Sequence, residues 1–260
     1  MDKQTQDLPR IGTLPSGPLD SICDVGDITV GHSTLADGAR QTGVTVVKPH
    51  AGDPYLDKVP AAATVLNGFG KSTGLVQVQE LGVLETPIAL TNTFGVGTVA
   101  NAQIRAAVAA NPGIGRGMAT VNPLVFECND GYLNDIQALA VQESHYADAL
   151  AAADKHPAQG AVGAGRGMSC FSFKGGIGSA SRVATIQPDQ RYTVGALVLS
   201  NFGRLPNLIV AGRPFGRRLA GQLEGNLAQA GENAAIVPEK GSIILLLSLI
   251  HISEPTRQEA

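Results

Sequence analysis

The sequence predicts a layered α/β or α+β domain in which helices cover the sheets. Three observations lead there. Short strand-like runs alternate with Ala- and Leu-rich helical segments along the chain, which fits neither an all-α nor an all-β class. Most of the runs, such as Pro87-Ile88-Ala89-Leu90, are apolar on both faces, as strands held between two layers are. The 32 glycines are spread out rather than clustered, which suits tight turns and close backbone approaches more than a disordered tail.

In chain order, residues 1–20 are rich in Pro, Gly and Ser and read as an extended arm. A single domain over 21–246 follows, without an internal repeat or a linker. Strands are predicted at Ile28-Thr29-Val30, at Gly43 to Val47, and at Ala61 to Leu66, where Asn67-Gly68 signals a turn. Leu75, Val78 and Leu81 share one helical face and predict a short helix that stops near Gly82. Pro87 to Leu90 is a buried strand. Val99 to Ala110 is an Ala-rich helix ended by Asn111-Pro112-Gly113. After a strand at Val125 to Cys128, Ile136, Leu139, Ala140, Ala147, Leu150 and Ala151 recur at helical spacing within 133–155. Further strands are predicted at Arg182 to Ile186, Arg191 to Ser200, Asn207 to Ala211 and Ser242 to Leu246.

Composition removes several classes of function. With 19 basic against 22 acidic residues and no Lys/Arg-rich run, the chain is no nucleic-acid binder. The longest apolar run, Ile243 to Ile252, is far short of the roughly 20 residues that span a bilayer. The polar start Met1 to Asp7 lacks the apolar stretch of a secretory signal, so a cytoplasmic location is expected. Cys23, Cys128 and Cys170 are too irregular for a disulfide framework or a zinc site and read as free thiols. The five histidines show no metal spacing, and no metal or cofactor is expected.

The most pointed chemistry lies at Lys240-Gly241-Ser242, just before Ile243-Ile244-Leu245-Leu246. A serine opening a buried strand, behind a glycine, is placed for attack on the Gly241 carbonyl. Cleavage there would free an α-amine of pKa roughly 7.7–8.0, able to act as base for its own hydroxyl. The same dipeptide also suits an ordinary turn. A second cluster, Phe126 to Asp135, packs polar groups between a strand end and a helix start. It is either a capped turn or a site in which Tyr132 donates to an oxyanion and Glu127 holds a substrate ammonium. Asn201, ending a strand before Phe202-Gly203, is either a turn asparagine or an oxyanion donor. The Gly-rich stretch 163–178 lacks the strand–turn–helix context and acidic residue of a dinucleotide site, and a structural loop fits it better.

Taken together these stretches resemble the self-processing aminopeptidases, namely the L-aminopeptidase/D-esterase/amidase enzymes and the β-peptidyl aminopeptidases. The resemblance runs collinearly over about residues 20–246. It rests on Val30 to Leu35, Thr42 to Val46, Val65 to Gly68 with Thr73-Gly74-Leu75, and Leu84 to Thr93. It continues with Asn129 to Asp135, Lys174 to Gly178, Asn201-Phe202-Gly203 and Gly241 to Ile244. It implies a four-layer α/β/β/α sandwich of the aminopeptidase/ornithine acetyltransferase-like type, and a self-generated serine nucleophile. It also implies a homo-oligomer of cleaved α/β pairs acting on short peptides, amides or esters. Residue by residue, Ser242 would be the nucleophile and Gly241–Ser242 the processing bond, with an α chain over 1–241. Asn201 and Tyr132 would be the oxyanion donors. Two other readings stay open: an acyltransferase of the same fold (ornithine acetyltransferase-like), and a non-catalytic phosphate- or nucleotide-binding module on loop 163–178.

Two departures stand out. Arg166 sits between glycines where a small polar residue is expected. Members of the family continue for about a hundred residues past the nucleophile, whereas this sequence stops at Ala260, so the fold is expected to be incomplete at its C-terminus and the chain inactive alone. Residues 247–260 do not resemble the family and read as a non-native, adapter-derived tail.

Overall fold

The computed structural model describes residues 11–66, 68–187, 190–230 and 241–253, with side chains described for all of these except 223–230 and 251–253. The first half of the arm, Asn67 of the turn and residues 254–260 of the tail lie outside them.

The chain first forms the antiparallel pair β1 (Thr29–Asp37) and β2 (Arg40–Lys48), joined through Gly38 at φ +53°. A two-residue ladder, β3 (Val59–Pro60) with β4 (Val83–Leu84), flanks helix α1 (Leu75–Leu81). Strand β5 (Ile88–Asn92) leads into α2 (Val96–Ala110), and β6 (Leu124–Cys128) precedes α3 (Glu143–Ala151). A small hairpin, β7 (Ser169–Cys170) with β8 (Phe173–Lys174), opens onto the long strands β9 (Gly176–Gln187) and β10 (Gln190–Asn201). Helix α4 (Phe215–Ala230) and strand β11 (Ser242–Ser253) complete the order. One sheet runs β1-β2-β5-β6, with β5 and β6 parallel, and the other runs β11-β10-β9, antiparallel throughout.

The alternation of side chains along a strand divides the core into two layers. On β2, Val44 and Val46 face the helices, meeting Ala89, Val125, Val99, Ala102, Tyr146 and Ala149. Val47 faces the other way. With Val30, Leu90 and Cys128 it meets Ile177, Leu197 and Leu199 of the second sheet, against which Ile244, Leu246 and Ile250 also pack. Both faces of the first sheet are therefore buried, which is why its strands read as continuous apolar runs. Each fully buried aliphatic side chain contributes about 1.5–3 kcal/mol, so these two clusters hold the sheets and helices together. The outer face of the second sheet carries Val194, Ile243, Leu245, Leu247 and Leu249, all exposed.

Several elements differ from expectation for local reasons. The spacing over 133–155 is not one helix. Leu133 N and Asn134 N both donate to Asp130 O, Leu139 takes a left-handed φ of 46°, and the helix starts only at Glu143 after an extended Gln142. Asn207 to Ala211 forms no strand, because Pro206 sits in a 3-10 turn and Ala211 and Gly212 both take positive φ. Residues 61–66 make no ladder and are mostly exposed, although Ala61 N donates to Gly82 O. Helix α4 was not foreseen; its Gly216 is pressed against Leu205, where a Cβ would meet the carbonyl oxygen. Strand β11 extends well beyond Leu246, pairing with β10 from Asn201↔Ser242 to Gln190↔Ser253. From residue 247 to Ser253, the segment read as a foreign tail continues that ladder.

Candidate active site

The register of the second sheet brings two predicted residues together. Asn201 ends β10, Ser242 begins β11, and the two are ladder partners. Along β10, Leu197, Leu199 and Asn201 fall on the buried side, and on β11 Ser242 shares the inward face with Ile244 and Leu246. The polar pair therefore stands at the end of the inter-sheet core, where the apolar residues give out.

Asn201 is 8% exposed and its carboxamide is fully engaged. Its Nδ2 donates to Ser242 Oγ at 3.1 Å and to Asn129 O at 2.8 Å, and its Oδ1 accepts from Ser169 N at 3.0 Å. That pattern admits one orientation of the amide, since Ser169 N offers only a donor and Asn129 O only an acceptor. Gly241 is needed here for space, since a Cβ would lie 2.8 Å from Phe202 Cβ.

Cys128, the last residue of β6, closes the other side of Ser242. Its thiol is fully buried, lies in hydrogen-bonding reach of the serine side chain, and is pushed up to about 12, chiefly by burial. The sequence marked Cys128 only as a free thiol; nothing in its spacing signals contact with Ser242. Asp130, two residues on, is fully buried, with Oδ1 accepting from Asn134 Nδ2 and Oδ2 unpaired. Burial raises its carboxyl, against the opposing pull of Thr42, Asn134 and Asn92 around it. In the sequence it is only one polar residue of the cluster over 126–135.

The other two predicted residues are less directly placed. Tyr132 lies in the turn three residues past Asn129, is 65% exposed, and its hydroxyl makes no hydrogen bond among the described residues. Glu127 neighbours Cys128 on β6 and so points to the opposite face of the strand. It is buried, its Oε1 accepts from Lys71 N at 3.0 Å, and its Oε2 accepts from the Thr93 hydroxyl.

Loop 163–178 does not form an anion cradle. Gly163 N and Ala164 N donate to Thr34 and Thr45 hydroxyls, while Gly165 N, Arg166 N, Met168 N and Gly175 N donate to carbonyls of the same loop region. The Lys174 ammonium is spent on three carbonyls, those of Gly165, Met168 and Gly175. The glycines are there for contact: a Cβ on Gly165, Gly167, Gly175 or Gly176 would collide with backbone. Arg166, the departure noted in the sequence, donates to Gln41 Oε1 at 2.7 Å.

Two facing sheets covered by a helical layer fit the N-terminal-nucleophile hydrolase fold. The chain belongs to Peptidase family S58, whose model matches residues 20–249. It is 38% identical over 247 residues to the β-peptidyl aminopeptidase BapA of Sphingosinicella microcystinivorans, covering 89% of this chain and 61% of that protein. The chain thus spans about three-fifths of the length of the curated relatives that it matches. Among solved structures it is similar to the PH0078 protein of Pyrococcus horikoshii OT3, with TM-score 0.84 and 43% identity over 96% of this chain and 68% of that one. It is similar also to a Burkholderia sp. β-aminopeptidase, with TM-score 0.81 and 40% identity over 96% and 66% of the two chains. A third is the L-aminopeptidase D-Ala-esterase/amidase of Ochrobactrum anthropi, described as a prototype serine aminopeptidase and a variant of the Ntn hydrolase fold. There the TM-score is 0.77, with 31% identity over 93% and 65%. The α+β sandwich read from the sequence is the fold these neighbours share. Among the described residues, no helix is long and apolar enough to cross a membrane.

Proposed function

We propose that this chain carries the nucleophile of a self-processing serine aminopeptidase, which releases N-terminal residues from short peptides, amides or esters in the cytoplasm. The observation that carries the reading is the 3.1 Å contact of Asn201 Nδ2 with Ser242 Oγ in a chain of Peptidase family S58. In the first step Ser242 Oγ bonds to the Gly241 carbonyl carbon, the carbon–nitrogen bond breaks, and the hydroxyl proton passes to the leaving nitrogen. Water then hydrolyses the ester, leaving the Gly241 carboxylate and a free Ser242 α-amine. The α chain is 1–241, and its partner is the β chain that begins with Ser242. Such α/β pairs assemble into a homo-oligomer.

In turnover the α-amine takes the proton of its own hydroxyl as Oγ attacks the substrate carbonyl. The Asn201 Nδ2 hydrogen that meets Ser242 Oγ shifts to the oxyanion as Oγ attacks, and the exposed, uncommitted Tyr132 hydroxyl donates beside it. Glu127, on the face of β6 away from Cys128 and already accepting from Lys71 N and Thr93, is the weaker candidate, as anchor of the substrate ammonium. No metal or cofactor enters this scheme. An acyltransferase of the same fold is the less favoured reading, because a threonine nucleophile would mark that branch. A phosphate-binding loop is disfavoured by the spent amides and ammonium of 163–178. The test is hydrolysis of α- and β-aminoacyl anilides by the full-length protein. Activity that disappears in Ser242→Ala supports the reading; activity that survives in it refutes it.

A further inference from the structure

We propose that Lys174 is a positioning residue for the reaction of Ser242, acting through the carboxamide of Asn201; this rests on the reading of Ser242 and Asn201 above. The geometry forms a short chain of contacts. Lys174 Nζ donates to Gly165 O at 2.9 Å, to Met168 O at 2.8 Å and to Gly175 O at 2.8 Å. An ammonium has three donors, so all are used. Met168 O also accepts from Gly175 N at 2.9 Å, which closes the loop on itself. The next residue, Ser169, gives its N–H to Asn201 Oδ1 at 3.0 Å. That bond turns Asn201 Nδ2 toward Ser242 Oγ.

The three carbonyls converge on the ammonium, whose charge offsets their facing dipoles. Without a cation there, the carbonyl dipoles of Gly165, Met168 and Gly175 would face one another and the peptide after Met168 would turn. That peptide bears the Ser169 N–H. The loop has no slack to absorb the change, since a Cβ on Gly175 would lie 2.4 Å from Ser200 O and one on Gly176 would lie 2.1 Å from Gly160 O. A second tie, Phe171 N to Phe202 O at 2.9 Å, couples the β7–β8 hairpin to the residue after Asn201. Lys174 therefore sets where the oxyanion donor points without touching the reacting atoms. The Gly-rich stretch that invites a phosphate reading has this task instead: its glycines bring the backbone close and its lysine locks it.

The test is a double-mutant cycle in the full-length protein, reading the self-cleavage rate at Gly241–Ser242 together with kcat, KM and Tm. Lys174→Met should slow cleavage and kcat about tenfold to a hundredfold with KM unchanged, as expected when a reacting group is displaced by up to 1 Å. In an Asn201→Ala background the same substitution should have almost no further effect, because the residue it positions is gone. Lys174→Arg, which keeps donors and charge, should recover part of the rate. Equal slowing in both backgrounds, or no slowing in either, overturns the proposal. Should Lys174→Met fail to fold, the cycle is run with Lys174→Gln, which still offers two donors to the carbonyls. A wild-type protein that neither cleaves itself nor turns over substrate refutes the proposed function and this inference with it. A wild type that does both, with additive variants, refutes this inference alone.

Discussion

At the scale of single residues, the Ser242 hydroxyl is met by a carboxamide and a buried thiol. Asn201 uses both amide hydrogens and its oxygen, so it arrives pre-aimed, and pre-aimed donors act on the charge that develops in the transition state. Asn201→Ala should lower kcat by about 10²–10³ with KM little changed, and Tyr132→Phe should act in the same direction. A rise in KM at constant kcat would make them binding residues. Asp130 gives a prediction in stability. Its folded carboxyl is raised above the ordinary 3.8 by burial, so above that pH the folded chain holds its proton more tightly than the unfolded chain does. Stability from this group therefore falls as pH rises through that window, and Asp130→Asn removes the slope. The stability of the variant relative to the unaltered chain should rise from pH 4 to pH 7, because it has no carboxyl to ionise in the buried site. Thermal melts at the two pH values check this. Ser242 and Asn201 were legible because each sits at a strand end in a recognisable tripeptide. Cys128 and Asp130 were not, because their roles depend on which strand ends meet across the two sheets.

At the scale of elements, apolar runs revealed where strands lie but not how far they extend. The Gly-Ser-Ala-Ser stretch before Arg182 carries no strand signal, yet β9 starts at Gly176 because its partner β10 imposes the ladder. Pairing also carries β11 to Ser253. The opposite errors, at 61–66 and 207–211, have apolar or β-branched residues without a partner strand, so local pattern alone overstates them. Strand β11 lies at the edge of its sheet and points Ile243, Leu245, Leu247 and Leu249 outward, all exposed. An exposed edge beside an apolar face favours association. The 260-residue chain expressed by itself should therefore grow in apparent mass with concentration in light scattering. Leu245→Lys with Leu247→Lys should suppress that growth without shifting the β10 pairing. A concentration-independent monomer in the unaltered chain would contradict this.

At the scale of the whole molecule, two sheets enclose an apolar layer whose open end holds Ser242. A layered mixture of helices and sheets was readable from periodicity, and the sandwich only through the family resemblance; its sheet order and the meeting of β6, β10 and β11 were not, since those depend on long-range pairing. In the proposed function this scaffold presents the Gly241–Ser242 bond to the Ser242 hydroxyl. The most direct test is intact-mass spectrometry of the full-length protein, purified without added protease. Two chains are expected, one ending at Gly241 and the other beginning with Ser242, and a single uncut chain in Ser242→Ala. One undivided chain in the unaltered protein would contradict that function.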